Sequence, residues 1–403
     1  MKILHISFSS SGGAGYSVAN LNRGLREFGI DSNVKYLIKG NLLRTGLGRP
    51  ILMITSLIDF FVVKKRKSNG LFSMFRKSIS SAVVDKNKYD IIHLHWVPGI
   101  LGVDQILKLL QAGQKIVWTV HDSFPFSGGC HVQISCSNLD KSCIQCPQAR
   151  EIFHHKVYFN KLKKRYILSH ENIFLIAPSK WMKNEIERSG IANNKIQVIP
   201  NLVNTKVVGS NHSNGKSYIV ESSIKNEFCV AIVTNTVYDK VKRVRLVNDL
   251  LEKIRALKKD KDKEIIFYIY GNGNIKIESS KVVKVNSKKM SLRDLYLRTD
   301  ILMSLSEFES FGNSIIEANS YGKPALIYGE GGQKELIIEG QNGFCFENLN
   351  LLATKIVELS RDTELMNQMS KNSLNVYKEN FTQDLILKRH LETYKIIMNN
   401  SRD

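Results

Sequence analysis

Short apolar segments of strand type alternate with segments of helix type along almost the whole chain, and this alternation occurs twice. In the first half, KILHISF is followed by a glycine turn and by YSVANLNRGLREFG, whose apolar residues recur at helical spacing. The pattern begins again after the polar stretch that follows Asn201, with EFCVAIVTN, RVRLVNDLLEKIRALKK and EIIFYIYGNGN. Alternation of this kind is typical of parallel sheets with helices on both faces. The sequence therefore predicts an α/β protein with two doubly wound, Rossmann-like domains.

The length of the chain agrees with two domains. Its 403 residues exceed what one hydrophobic core usually serves. We expect a first domain at residues 1–203 and a second at residues 204–381. Ligands of open parallel sheets bind beyond the carboxyl ends of the strands, so two such sheets facing each other would form a binding cleft.

The chain is strongly basic, with a formal net charge of +21. Basic proteins commonly bind nucleic acid, anionic membranes or phosphorylated small molecules. In residues 48–67, an apolar segment directly precedes Lys64, Lys65, Arg66 and Lys67. This order suits a helix lying on an anionic membrane surface, although a core helix ending in dipole-favoured cations is the alternative.

No apolar stretch is long enough to cross a bilayer, and the amino terminus lacks the long apolar core of a signal peptide. The sequence therefore predicts a cytoplasmic protein, with peripheral attachment at the inner face of the cell membrane as an open alternative.

Two glutamates bracket a tight turn in EFESFGNSIIE, where Glu309 lies in the turn and Glu317 lies on the helix that follows. The backbone N–H groups of Ser310, Phe311 and Gly312 would lie at the start of this helix, where a diphosphate is favoured. Ionised carboxylates accept hydrogen bonds and could each bind a pair of sugar or ribose hydroxyls. Acidic residues also occur at helix starts simply because they complement the helix dipole.

A glycine cluster follows the first apolar segment, where Gly13 and Ala14 would let a ligand approach backbone N–H groups at a helix start. It lacks the third glycine of the dinucleotide-binding fingerprint. An ordinary strand-to-helix turn is the alternative interpretation.

Four cysteines, Cys130, Cys136, Cys143 and Cys146, lie within 17 residues in CHVQISCSNLDKSCIQC. A Cys-x2-Cys pair with two further cysteines nearby suits a tetrahedral structural zinc ion, and His131 could replace one ligand. Free thiols and disulfides are the alternatives, of which disulfides are disfavoured in a reducing compartment.

The turn between Glu309 and Glu317 resembles the E-x7-E signature of the retaining nucleotide-sugar glycosyltransferases of family 4, which have the two-Rossmann-domain GT-B architecture. Further segments resemble family elements and occur in the family's order: SSGGAG, TVHDSFPFSGGCH, IAPSKWM, VIPNLVN and GEGGQKELIIEGQNGF. TVHDSFPFSGGCH is similar to the His-Asp segment of a subgroup that builds bacterial surface polysaccharides. The resemblance covers nearly the whole chain.

The resemblance implies a role for each residue of the turn. Glu317 would hold the ribose hydroxyls of the donor nucleotide, and Glu309 would contact the hydroxyls of the transferred sugar. Ser310, Phe311 and Gly312 would present backbone amides to the diphosphate.

In the first domain, the resemblance assigns Gly13 and Ala14 to the donor-binding glycine loop. It places His121 near the reacting sugar, whereas a hydrogen-bonded core histidine is the alternative. Asp122 would either orient His121 or cap the next segment. The final helix, residues 382–403, would pack back on the first domain.

The phosphate clamp departs from the family pattern, in which an Arg precedes a Lys-Gly pair. In VTNTVYDKVKRVRLV we assign the lysine to Lys242, while Arg243 stands in the place of the glycine and the preceding Arg is absent. Lys240, Arg243 or Arg245 could supply the missing cation. A cation is required because the leaving diphosphate gains negative charge as the glycosidic bond breaks.

The implied function is sugar transfer, with retention of anomeric configuration, from a nucleoside-diphosphate sugar to a glycan or lipid-linked acceptor in surface polysaccharide synthesis. No metal is expected in catalysis, and nucleic acid is not an expected partner. An epimerase or hydrolase on the same fold is one alternative. A basic membrane-binding protein on a degenerate enzyme scaffold is the other.

Overall fold

The computed structural model divides the chain into two compact units, Met1–Leu202 with Gln383–Asp403, and Val203–Thr382. We describe each unit by itself. The residues that the structure describes are 1–39, 42–43, 48–63, 72–74, 88–133, 136–191, 195–203, 226–274, 277, 279–286 and 288–399.

In its described part, the first unit contains a seven-stranded sheet in the order β3-β2-β1-β4-β5-β6-β7. Neighbouring strands are parallel except for β2 and β3, which are antiparallel. The strands are β1 (Lys2–Ser9), β2 (Asp31–Lys39), β3 (Leu42–Leu43), β4 (Ile91–Leu94), β5 (Lys115–Thr119), β6 (Ile173–Ala177) and β7 (Ile196–Val198). β4 and β6 are buried at every residue, as expected for strands covered on both faces.

Helices connect these strands, as parallel pairing requires. They are α1 (Gly12–Glu27), α2 (Gly48–Val62), α3 (Val103–Gln111), α4 (His154–Leu168) and α5 (Lys180–Arg188). The Ser179 side chain accepts a hydrogen bond from the backbone N–H of Met182 at 3.0 Å, which caps α5.

The second unit has a six-stranded parallel sheet, within the described residues, in the order β10-β9-β8-β11-β13-β15, and β12 pairs separately with β14. The strands are β8 (Glu227–Thr236), β9 (Glu264–Asn272), β10 (Val282–Val285), β11 (Ile301–Ser304), β12 (Phe308–Glu309), β13 (Ala325–Ile327), β14 (Glu330–Gly331) and β15 (Gly343–Cys345). The helices are α6 (Val247–Leu257), α7 (Leu292–Arg298), α8 (Asn313–Ser320), α9 (Leu349–Arg361) and α10 (Thr363–Asn380). The prediction of two doubly wound parallel-sheet domains is confirmed.

The last helix, α11 (Gln383–Asn399), packs on the first unit rather than on the second. Its side chains Ile386, Leu387 and Tyr394 share a buried cluster with Leu21 of α1. Gly24 allows this approach, because a Cβ atom there would lie 2.7 Å from Leu387 Cδ1.

Candidate active site

The second unit gathers its predicted site residues where β11 and β13 end. The two strand-end loops pair as β12 and β14, and the Gly332 N–H donates to the Glu309 carbonyl at 2.8 Å. Glycines are required here because a Cβ on Gly329 would lie 1.8 Å from the Ser306 carbonyl oxygen. Gly331 has a φ of +99°, and a Cβ there would lie 2.2 Å from the Glu309 carbonyl oxygen. The backbone that carries Glu309 is therefore held on both sides.

Gln333, which was not identified from the sequence, holds these two loops together through hydrogen bonds of its side chain. Its side chain is fully buried, and its Nε2 donates to the carbonyls of Ser306 and Glu330, both at 3.0 Å. Its Oε1 accepts from the Ser304 hydroxyl at 2.7 Å. The only signal in the sequence is its place in the family-like segment GEGGQKE.

Lys242 and Glu309, which lie far apart in sequence, form an ion pair between Nζ and Oε1. Burial alone would lower the pKa of Lys242, but the attraction of Glu309 and Asp239 outweighs it and the pKa is raised. Lys242 therefore carries a positive charge throughout the physiological range. Both side chains remain about a quarter exposed, so a ligand can reach the pair.

Arg243, which was predicted to contact the diphosphate, directs its guanidinium at backbone carbonyls of the second unit. Its Nε donates to the Leu305 carbonyl at 2.7 Å, its Nη2 donates to the Tyr328 carbonyl, and the guanidinium lies 4.6 Å from the Tyr328 ring centre. These bonds join the ends of β11 and β13. Arg243 also has a left-handed φ of 47°, which explains why a glycine suits this position. This geometry favours a structural role for Arg243 and leaves Lys242 as the better candidate clamp.

Glu317 lies on α8, and its Oε2 accepts a hydrogen bond from the Tyr296 hydroxyl at 3.0 Å. Burial raises the pKa of Glu317 to about 7, while the hydrogen bond from Tyr296 opposes this shift. Tyr296 stacks on Tyr321, with the ring centres 5.5 Å apart. Tyr296 was not identified from the sequence, because it lies on α7 and meets Glu317 only in the folded unit.

In the turn between the two glutamates, the side chain of Phe311 is buried in the core. Only the backbone of Phe311 is left for a ligand. Phe311 is buried and its ring contacts Phe381 with the ring centres 6.3 Å apart. Gly312 precedes α8 with a φ of 112°, and a Cβ there would lie 2.8 Å from Ile315 Cδ1. The turn of Ser310, Phe311 and Gly312 thus lies at the amino end of α8, as the sequence predicts for a diphosphate-binding turn.

In the first unit, His121 is the end of a row of histidines that crosses three adjacent strands. His5 Nδ1 lies 3.1 Å from His95 Nε2, and His95 Nδ1 lies 3.1 Å from His121 Nε2. Burial lowers the pKa of His5 to about 3 and that of His121 to about 4, although Asp122 opposes the shift of His121. Burial also lowers the pKa of His95 well below its ordinary value. All three imidazoles are therefore neutral at physiological pH.

The hydrogen bonds fix the direction of proton donation along this row. The described residues offer no partner to His5 Nε2, which is buried. A buried acceptor without a partner is tolerated more readily than a buried N–H, so His5 donates from Nδ1 to His95. His95 then donates to His121, whose own proton is on Nδ1.

His5, His93 and His95 have nitrogen atoms within 4.8 Å of one another, a spacing that a metal ion could use. The nitrogens of His93 are, however, within 2.7 Å of the Tyr394 and Thr119 hydroxyls. Because both nitrogens of His95 are also occupied, a metal ion would have to break this network, and we assign none here.

Asp122 caps the segment after β5, and among the described residues its side-chain hydrogen bonds are with groups other than the His121 ring. Its Oδ1 accepts from the Phe124 N–H at 2.9 Å, and its Oδ2 accepts from Trp96 Nε1 at 2.7 Å. Oδ2 also lies 2.6 Å from His131 Nδ1. Of the two roles considered for Asp122, the structure shows capping.

Gly13 and Ala14 lie in the first turn of α1, which follows the end of β1. The close approach in this turn is at Gly15, where a Cβ would lie 2.7 Å from the Ser9 carbonyl oxygen. Gly13 is exposed, so its backbone can be reached by a ligand.

The apolar segment of residues 48–62 forms α2, and several apolar side chains in its described part are exposed. Phe60 and Phe61 are each 58% exposed, whereas Asp59 is buried and accepts from the Met74 N–H at 2.8 Å. The predicted basic run Lys64, Lys65, Arg66 and Lys67 lies outside the described residues. Among the helices described, none combines the length and the apolar character needed to cross a membrane.

Comparisons with known proteins agree with the fold of two parallel-sheet units. Residues 11–207 match the model of Glycosyltransferase Family 4, and residues 236–376 match that of Glycosyl transferases group 1. The chain is 22% identical over 337 residues to N-acetyl-alpha-D-glucosaminyl L-malate synthase of Bacillus anthracis, covering 80% of this chain and 78% of the relative. It is 26% identical over 161 residues to poly(ribitol-phosphate) alpha-N-acetylglucosaminyltransferase of Staphylococcus aureus, covering 36% and 32%.

A shorter match is to trehalose synthase of Thermococcus litoralis, 32% identical over 101 residues and 25% of this chain. The chain spans about a quarter of the length of the trehalose synthases that it matches, 24% in this case.

Solved structures share the fold over nearly the whole chain. Sucrose-phosphate synthase from Thermosynechococcus elongatus has a TM-score of 0.67 at 14% identity, covering 99% of this chain and 100% of that one. Anabaena HepE in complex with UDP and glucose has a TM-score of 0.62 at 16% identity, covering 98% and 99%. S. aureus TarM in complex with fondaparinux, alpha-GlcNAc-glycerol and UDP has a TM-score of 0.64 at 14% identity, covering 99% and 100%.

The fold and the family models together define a GT-B glycosyltransferase. More narrowly, the chain belongs to the glycosyltransferases that combine a family 4 amino-terminal domain with a group 1 carboxyl-terminal domain.

Proposed function

We propose that this protein is a retaining glycosyltransferase that moves a sugar from a nucleoside-diphosphate sugar to a glycan or lipid-linked glycan acceptor in surface polysaccharide synthesis. The observation that carries the proposal is the Lys242–Glu309 ion pair, which lies beside the turn that begins α8. A cation and a carboxylate at one strand end can bind the two halves of an activated sugar, its diphosphate and its hydroxyls.

The chemistry follows from these side chains. As the bond between the sugar and the diphosphate breaks, negative charge develops on the leaving phosphate and positive charge on the sugar ring. Lys242 stabilises the phosphate, and the backbone amides of Ser310, Phe311 and Gly312 bind it at the positive end of α8. Glu309 accepts hydrogen bonds from the sugar hydroxyls, and Glu317 accepts them from the ribose.

Retention of configuration is proposed to result from attack on the same face of the sugar that the phosphate leaves. The departing phosphate oxygen then takes the proton of the acceptor hydroxyl, so no protein base is needed. His121 is neutral and is proposed to donate a hydrogen bond from Nδ1 to a sugar hydroxyl. His121 and Glu309 are each proposed to contact the reacting sugar. No metal ion is proposed to take part in catalysis.

The acceptor proposal is supported by the relatives. The S. aureus relative is named as transferring N-acetylglucosamine to poly(ribitol-phosphate), and the TarM structure holds alpha-GlcNAc-glycerol with UDP. The Anabaena structure holds UDP and glucose. The UDP and the sugars named for these proteins support the donor and acceptor chemistry that we propose here.

The test is a panel of nucleotide sugars, assayed for release of nucleoside diphosphate with and without lipid-linked glycan acceptors. We expect release by one donor to increase strongly when an acceptor is present. Nuclear magnetic resonance of the first product formed should show the anomeric configuration of the donor. Inverted configuration would contradict retention. Equal release without acceptor would identify a hydrolase, and consumption of a donor without release an epimerase.

We further propose that the enzyme works at an anionic membrane surface through the outer face of α2. This face consists of exposed apolar side chains: Ile54, Leu57, Ile58, Phe60 and Phe61. A second row of exposed apolar side chains begins close to the end of α2. The two are close because the Arg150 N–H, just before this row, donates to the Val62 carbonyl at 2.8 Å. That row has a spacing of seven residues along the chain and contains Ile152, Phe159 and Tyr166.

The charge beside this surface is complementary to anionic lipid. Lys156 and Arg165 lie on exposed positions of α4, between the apolar residues of the row. Exposed apolar side chains that alternate with cations are typical of helices that lie on membranes.

Phe60→Ser combined with Phe61→Ser should reduce binding to vesicles containing anionic lipid by at least about tenfold, because two exposed aromatic rings no longer enter the lipid boundary. Vesicle sedimentation measures this. Leu351→Ser, an exposed apolar position of the second unit, is the matched control and should bind as the wild type does. Equal binding of the double variant, or equal binding to neutral and anionic vesicles, would contradict the proposal.

A further inference from the structure

The cysteine-rich segment folds so that all four of its sulfur-bearing residues line one enclosed cavity. Cys130, Cys143 and Cys146 are buried, Cys136 is partly exposed, and all four occur as free thiols. The cavity has a volume of about 10 Å³, which is room for one water-sized species. The disulfide alternative is therefore not what the structure shows.

The backbone around this cavity is held in an unusual conformation. Ser142, Cys143 and Gln145 have left-handed φ angles of 59°, 59° and 56°, which residues other than glycine seldom adopt. The Cys143 N–H donates to the Asn138 carbonyl at 2.9 Å, and Asn138 Nδ2 donates to the Gln145 carbonyl at 3.0 Å. These bonds fold the segment tightly and direct Cys143 and Cys146 to the same cavity.

Two buried lysines bind backbone carbonyls close to this cavity, although neither side chain lines it. Lys161 and Lys164 lie on α4 and are 2% and 1% exposed. Lys161 Nζ donates to the Leu139 carbonyl, and Lys164 Nζ donates to the carbonyls of Phe124 at 2.6 Å and Ser127 at 3.1 Å. Within the part of the chain that the structure describes, neither lysine is in an ion pair with a carboxylate.

Buried cations without a counterion are strongly unfavourable. Both cysteines and carboxylates act electrostatically on these lysines: Cys143 and Asp140 on Lys161, and Cys130, Asp122 and Asp59 on Lys164. A nearby anion with two negative charges would balance both lysines.

We propose that Cys130, Cys136, Cys143 and Cys146 bind one Zn²⁺ as four thiolates, and that Lys161 and Lys164 neutralise the doubly negative complex. Binding releases the four thiol protons and forms four Zn–S bonds of about 2.3 Å. It closes the sulfurs, which do not all lie within 4.8 Å of one another in this structure, to roughly 3.8 Å. Zinc with four cysteines has a formal charge of about −2, and the two ammonium groups cancel it.

His131 is not a ligand in this site, contrary to the alternative considered from the sequence. Its Nδ1 lies 2.6 Å from Asp122 Oδ2 and its Nε2 lies 2.9 Å from the Ser73 hydroxyl, so both nitrogens are occupied. The zinc instead stabilises the segment that carries His131. Lys164, which balances the charge of the zinc site, also donates to the carbonyls of Phe124 and Ser127, just beyond His121 in the chain. The site is therefore structural, and it holds the polypeptide next to His121 in place.

Metal analysis of the full chain, purified without chelator, tests the proposal. We expect about one zinc per chain for the wild type and for Cys229→Ser, the matched control outside the cluster, and a clear loss for Cys136→Ser and Cys143→Ser. Replacement by Co²⁺ should give the absorption of a tetrahedral tetrathiolate site. That spectrum and the wild-type zinc content decide the matter even if a cysteine variant does not fold.

The charge-balance part has its own test. Lys161→Met and Lys164→Met should each lower the zinc affinity by roughly 10- to 100-fold, as loss of a supporting partner does, whereas Lys163→Met on the exposed side of α4 should not. Unchanged affinity in both variants would overturn the role of the lysines. A zinc-free wild type that takes up neither Zn²⁺ nor Co²⁺, or zinc content unaffected by the cysteine substitutions, would overturn the site.

Discussion

Lys242→Met should lower the kcat of sugar transfer by about 100- to 1,000-fold, the effect seen when one preorganised group that stabilises developing charge is removed. The substitution keeps the length and apolar stem of the side chain but removes the ammonium that faces Glu309. Because the charge on the leaving phosphate is largest in the transition state, kcat should fall more than the affinity for the donor. Steady-state kinetics with the donor found in the panel measure both.

Two neighbouring cations provide the controls. Lys240→Met changes an exposed lysine two residues away and should leave kcat within about twofold, because exposed charges contribute little. Arg243→Met should instead destabilise the second unit by about 1–3 kcal/mol, because two backbone carbonyls lose charge-assisted hydrogen bonds. If Arg243→Met lowered kcat and left the free energy of unfolding unchanged, Arg243 and not Lys242 would be the clamp.

Donor binding should weaken by up to about tenfold for each pH unit below 7, and reach a plateau above it. The pKa of Glu317 is raised to about 7 by burial. A ribose with two hydroxyl donors needs the ionised carboxylate, so at lower pH binding must first remove a proton. Calorimetric titration with an intact nucleotide sugar measures this effect, since its diphosphate does not titrate in this range.

Glu317→Gln should bind the donor weakly at every pH and show no dependence on pH near 7. Tyr296→Phe should move the midpoint upward, because the hydrogen bond from Tyr296 lowers the pKa of Glu317. A wild-type profile that stays flat between pH 5 and 8 would remove Glu317 from the ribose site. In the free protein the same raised pKa makes the folded state bind more protons than the unfolded state. Stability therefore falls as the pH rises from the ordinary carboxyl value to about 7.

The sequence was sufficient to predict the fold class and the residues with a recognisable pattern around them. Strand and helix periodicity predicted the two sheets. The resemblance of the Glu309–Glu317 segment to a family signature indicated the candidate site of the second unit, which stays a prediction. The roles within the site were less accessible, because they depend on contacts between strands distant in sequence. Gln333, Tyr296 and the histidine partners of His121 have no local signature, and their roles appear only when the strand ends meet.

Arg243 is a second example of a role that could not be predicted from the sequence. It stands where the family pattern has a glycine, and its backbone has a left-handed φ of 47°. Its charge favoured a role in phosphate binding, whereas the structure shows that the guanidinium joins two strand ends. The residue type indicated a cation at this position. The direction of its side chain, which determines what the guanidinium binds, could not be predicted from the sequence.

The return of α11 to the first unit has a consequence for synthesis on the ribosome. Leu21 and Leu25, which precede the second unit in the chain, share a buried cluster with Leu387 and Tyr394, which follow it. The second unit contains none of these residues and can complete its core first. Until α11 has been synthesised, the nascent first unit therefore leaves this apolar surface exposed. A chaperone would recognise such a surface.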